Sequence, residues 1–294
     1  MNSAWLMAIG TGVCNSGVAL SGKSAERSRC RPASYALIAF SVAGAMAFVI
    51  ASGLDGNWSD WRLWAIGMAM GFLYLVAISS LLHANRYWPP SIVWSAANMA
   101  FVAPIFLSGL ILREPLQWMD ALIAAGVALM LIGLADPAAR SGRNADDTPA
   151  GRHPRAVRPL LLAIVFAANG LLMFGYKLFH VVLPEQRASC LVAAVYGCAA
   201  LLAAAAVMVR GGPIRVNRAE LGWGLCAGAA AGLAALALLG AMQLPAATAF
   251  PVIQGTSLAG GVLLCALVFR ERLTLRKLAA LAIGLGAMTL TMWR

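Results

Sequence analysis

"AANGLLMFGYKLF", residues 167–179, sets an asparagine and, eight positions later, a lysine in an otherwise apolar run. "CNSGVALSGKSAE", residues 14–26, repeats the spacing: Asn15 leads Lys23 by eight, as Asn169 leads Lys177. The two asparagines stand 154 positions apart. In a greasy chain a polar residue needs a reason, and the same pair of reasons twice points to a duplicated unit.

The surroundings of these stretches set the solvent. Of 294 residues, 61% are hydrophobic and only 11% charged, whereas a soluble domain carries about 25% charged residues. The apolar residues come in runs, such as "YALIAFSVAGAMAFVIASG" at residues 35–53, which holds no charge. About 20 such residues span a bilayer core as a helix. Backbone amides in lipid must be paired internally, so repeated spans of this length predict an all-α helical bundle rather than a barrel. The net charge of +11 is not read as a nucleic-acid footprint, because the basic residues fall between spans. There they anchor topology and meet lipid headgroups. None of the six cysteines forms a C-x-x-C pair, and five lie in apolar runs. They read as small hydrophobes, with neither a disulfide framework nor a metal site. The first apolar run has no Lys or Arg before it and is read as an uncleaved span rather than a signal peptide.

Ten spans are expected, at about residues 3–22, 34–53, 63–84, 92–112, 119–135, 159–178, 189–209, 219–241, 247–268 and 275–293. The polar segment 136–158 divides them five against five, as a first unit 1–135, a linker and a second unit 159–294. A second paired mark supports the division. "LREPL" (112–116) follows span four, "FRERL" (269–273) follows span nine, and the two stand 157 apart. Five is odd, so the second copy enters the membrane from the opposite side, giving a 5+5 inverted repeat of the kind found in secondary transporters. The odd-numbered loops hold 17 of the 22 Lys and Arg, which places those loops in the cytoplasm and both termini outside.

This plan, with Arg113-Glu114-Pro115-Leu116 and "FRERLTLRKLAALAIGLGAM" (269–288), resembles the drug/metabolite transporter superfamily, and within it the EamA-like ten-helix members. Two features depart from the family pattern. Arg replaces the usual Gly before each turn Glu, and Gly12, Val13 and Cys14 stand where a Trp often precedes the first polar residue. The resemblance implies a multi-pass protein of the cell membrane (the inner membrane if Gram-negative) that transports a small metabolite or drug-like solute, commonly outward. It also implies cytoplasmic termini, against the charge count.

Asn15 and Asn169 fall near the middle of their spans, where an amide must be hydrogen-bonded. They read as a central substrate site at the repeat interface, or as interhelical glue. Trp94 and Asn98 of span four, and Gln254, Thr256 and Ser257 of span nine, add polar and aromatic groups to that site. Pro104 and Pro251 weaken those two helices and free carbonyls for a ligand. Lys23 and Lys177 lie about 12 Å further along, as headgroup anchors or as gates at the two faces. Gly224, Gly228 and Gly232 recur every four residues and predict close helix packing.

None of the eleven carboxylates falls mid-span. That disfavours proton-coupled export of lipophilic cations, which needs a membrane-buried carboxylate, and favours neutral, zwitterionic or anionic solutes. No H-E-x-x-H, D-x-x-D or P-loop pattern is present, so the alternative, a membrane enzyme acting on a lipid-linked substrate, lacks its usual chemistry. The expected partners are a small-molecule substrate and the bilayer, with no cofactor, metal or nucleic acid, in a monomer or weak homodimer.

Overall fold

The computed structural model describes residues 3–53, 58–84, 90–115, 157–183, 188–209 and 216–269, with scattered positions in 118–129 and 275–286. Among these residues there is no strand. The helices are α1 Ser3–Arg27, α2 Pro32–Gly53, α3 Trp61–Ala84, α4 Pro90–Met99, α5 Val102–Ile111, α6 Val157–Val182, α7 Ala188–Val209, α8 Arg218–Ala241 and α9 Ala246–Phe269. Seven of them, all but α4 and α5, are long and apolar enough to cross a membrane. Leu6, Phe48, Leu201 and Leu267 are exposed on the bundle surface, which suits lipid and would be costly in water. The chain is therefore a multi-pass helical membrane protein.

The expected spans 119–135 and 275–293 lie largely outside the described residues, and the positions described there are helical. The linker 136–158 lies outside them apart from its last two positions, which begin α6. The expected single span 92–112 is instead two ten-residue helices, α4 and α5. Pro104 has no N–H, so the Ala100 carbonyl loses its ordinary partner four residues on. It accepts the Ala103 N–H at 3.1 Å instead, and Phe101 turns its N–H to the Asn98 carbonyl at 3.4 Å. Pro251, by contrast, sits inside an unbroken α9.

Small side chains set the helix packing. Ala43, Ala47 and Ala51 of α2 are wholly buried, and close backbone approach of this kind is what holds helices together when lipid removes the hydrophobic drive. α1 packs against α8 and α9, α2 against α7 and α8, α3 against α6 and α7, and α6 against α4 and α5. The contacts recur in register. In α3, Gly67 approaches Ala194, and Gly71 approaches the Val195 carbonyl and Cys198. In α8, 157 positions later, Gly224 approaches Ile38, and Gly228 approaches the Ala39 carbonyl and Val42. The partners 38, 39 and 42 precede 194, 195 and 198 by 156 positions each. Likewise Ser16 of α1 meets Gly260 and the Ser257 carbonyl, while Gly170 of α6 meets Ala103 and the Ala100 carbonyl.

α1 runs antiparallel to α8. Its start lies at the end of α8, where Met7 meets Gly240, and its end lies at the start of α8, where Arg31 meets Glu220. The first of these ends of the bundle carries the residues of most interest.

Candidate functional site

α6 carries Val165, Asn169, Met173 and Lys177 at intervals of four, hence on one face. Val165 is fully buried, and the Asn169 side-chain amide donates to its carbonyl at 2.8 Å. This bond back to its own helix spares Asn169 the full cost of an unpaired amide in lipid. Next along the face, the Met173 sulfur lies 3.5 Å from Nε2 of Gln254, a buried residue of α9. Gln254 thus meets α6 through Met173, one turn along the same face from Asn169.

Asn15 lies on the buried face of α1 with Ala4, Ala8 and Thr11, away from exposed Val13. It is half-buried and has no hydrogen-bond partner among the described residues. α1 meets α9 at Gly12, where an added Cβ would lie 2.6 Å from Cβ of Thr256. α9 therefore touches the Asn15 helix through Thr256 and the Asn169 helix through Gln254. Asn98 is partly buried at the end of α4, where its carbonyl holds the break. Trp94 belongs to α4, but its side chain lies outside the described residues.

Lys23 is partly buried near the end of α1. Lys177 does not snorkel to headgroups: it is 4% exposed, and its Nζ is enclosed. It pairs with Glu114 Oε1 at 2.7 Å and donates to the carbonyls of Met242 at 3.1 Å and Leu244 at 2.9 Å. The second Glu114 oxygen, Oε2, accepts the Ala246 N–H at 2.9 Å. The helix ends explain the arrangement. The Met242 carbonyl, at the C-cap of α8, has no intrahelical partner and sits at the negative end of its dipole, which favours a cation. The first N–H of α9 sits at a positive end, which favours a carboxylate. Glu114 reaches it because the chain turns sharply after α5, with Arg113 in the left-handed region at φ 56°.

The opposite end of the bundle has its own ion pair. Glu220, buried in the first turn of α8, closes a capping box with Asn217 and takes Arg31 through the backbone N–H, Nε and Nη2 at 2.9, 2.9 and 3.1 Å. Burial, and then the Glu220 charge, push the neighbouring Cys30 thiol above its ordinary range. In the core, the Tyr196 hydroxyl lies 3.2 Å from that of Tyr74 and 3.4 Å from the Ala231 carbonyl. An apolar groove of about 320 Å³ opens between α2 and α7, lined by Phe48, Trp64 and Gly197 among others, and none of the candidate residues borders it. Among the described residues, no three of His, Cys, Asp and Glu come together as metal ligands would.

The sequence reading marked both "LREPL" and the Asn-x7-Lys pattern but did not join them. Their meeting, across 63 positions, was the missed feature. The signal available was that each of the two half-chains carries one copy of both marks. Met173 and the tyrosines carried no such signal.

No family model matches the chain, and no curated protein matches it. Solved structures share the fold. One, described only as "Crystal structure of protein", is 14% identical over 99% of this chain and 98% of its own, with a TM-score of 0.75.

Proposed function

We propose that the chain is a secondary transporter of the drug/metabolite transporter type, built as ten spans in a 5+5 inverted repeat, that carries a small neutral, zwitterionic or anionic solute, outward. The observation that carries this reading is the recurrence of the packing contacts. Gly67 and Gly71 use residues of α7 as Gly224 and Gly228 use residues of α2, at constant offsets of 157 and 156. The packing also exchanges consistently: α1 on α8 matches α6 on α3, and α1 on α9 matches α6 on α4 and α5. A duplicated unit with an odd number of spans accounts for both.

The substrate site of this reading lies between α1, α6 and α9, with α4, and uses Asn15, Asn169, Gln254, Thr256, Asn98 and Trp94. The break of α4 and α5 at mid-span supports it, since transporters place discontinuous helices beside their substrates. Lys177 is assigned to a gate, with Lys23 as its repeat counterpart. The linker is assigned to the cytoplasm on the distribution of basic residues.

The test begins with a metabolite-resistance screen comparing a deletion strain with an overproducer, followed by uptake into proteoliposomes. Asn15→Leu and Asn169→Leu should each abolish uptake while the protein stays monodisperse. Normal uptake by both variants would remove the amides from the site.

A further inference from the structure

We propose that Lys177 and Glu114 form a latch that holds the bundle shut at the end where α1 begins, and that its release exposes the Asn169 face of α6 to water from that end. The inference rests on the transporter reading for its purpose, but not for its geometry.

The pair ties together four pieces of chain with few atoms. Lys177 belongs to α6, Glu114 to the turn after α5, Met242 and Leu244 to the turn after α8, and Ala246 to the start of α9. Three contacts use the three ammonium protons, and both carboxylate oxygens are engaged. The closed state is therefore fully satisfied. Directly beneath the latch on the same face lie Met173 and then Asn169, at intervals of four residues. Along this face of α6, Lys177 and its contacts with the α8–α9 turn lie between that end of the bundle and Asn169.

A latch must also open at modest cost. A buried ion pair gains little net free energy over its hydrated, separated charges, because desolvation cancels most of the attraction. Such a pair selects a geometry more than it stabilises one. Glu114 already keeps a 21% exposed side chain, while that of Lys177 is 5% exposed, so water reaches the carboxylate first. An apolar plug of the same volume would have no hydrated state to open into.

The test is site-specific labelling that needs no substrate. Met173→Cys is introduced, the protein is reconstituted in vesicles, and a membrane-impermeant, positively charged thiol reagent is applied to each side separately. Modification at position 173 is read by peptide mass spectrometry, which separates it from the native cysteines. With the latch intact, labelling from the α1-start side is slow. Adding Glu114→Gln should speed it from that side by at least about tenfold, because removing one partner leaves the other charge unpaired and drives opening. Lys177→Met, which keeps the buried stem, should do the same and serves if the first variant does not fold. Glu114→Asp retains the charge and should stay slow. Rates unchanged in both Glu114→Gln and Lys177→Met, or raised equally from both sides, would overturn the latch. Fast labelling in those variants with no solute transport by the parent protein would keep the latch and remove the transporter reading.

Discussion

Arg113 stands where a glycine fits best. Its φ of 56° puts an L side chain in a region that costs roughly 1–2 kcal/mol. A glycine adopts this region without that cost. Arg113→Gly should therefore match or exceed the parent in thermal unfolding, by up to about 1 kcal/mol once the glycine's extra unfolded-state entropy is subtracted. Arg113→Val should lower stability, because a β-branched residue tolerates this region worst. A lower melting point for the glycine variant would mean that the guanidinium holds the turn. At Asn15 and Asn169, Leu keeps the helix and removes donor and acceptor together. A lost ligand bond of about 1–3 kcal/mol corresponds to roughly 5–150-fold weaker binding, read as a raised half-saturation concentration or lost uptake. Aggregation of both variants instead would mark the amides as structural.

Among the elements, the glycine strip of α8 separates close packing from open surface. An added Cβ at Gly228 would lie 2.5 Å from the Ala39 carbonyl, against backbone that cannot swing aside, whereas Gly222 has nothing within 4 Å. Gly228→Leu should cost about 1–3 kcal/mol or more as α2 and α8 are forced apart, visible as a drop in melting temperature of the detergent-solubilised protein. Gly222→Ala should be neutral or slightly stabilising, by helix propensity. Equal melting points for the two variants would contradict the α2–α8 interface. Close packing along this face of α8 was legible in the sequence, though its partner α2 was not, because a four-residue glycine interval has one strong physical meaning in lipid. Seven of the ten span positions were legible for the same reason, since length and apolarity alone decide them. The split of span four was half legible: Pro104 announced weakness, but Pro251 announced the same and α9 did not break. What separates them is the surroundings of each helix, which composition does not encode. The Lys177–Glu114 pairing was hidden more deeply. It depends on the ends of α5, α8 and α9 converging on one point of α6, and no local pattern reports such convergence.

At the scale of the whole molecule, the proposed reading is one duplicated unit in two orientations. The excess of basic residues in the odd loops gives one absolute statement: a reporter active only in the periplasm, fused at Gly142 in the linker, should stay silent. A strong signal there would reverse the orientation but leave the repeat intact. The inversion itself has a sharper test, free of any assumption about inside and outside. Equivalent loops of the two halves must face opposite sides of the membrane. Ser28, exposed in the turn between α1 and α2, and Glu185, between α6 and α7 in the sequence, are such a pair. Ser28→Cys and Glu185→Cys are made separately, and each is exposed to an impermeant maleimide added to one face of sealed, uniformly oriented vesicles, with modification read at the single peptide. Labelling of one position from one face and of the other only from the opposite face is the predicted result; labelling of both from the same face would contradict the inverted repeat.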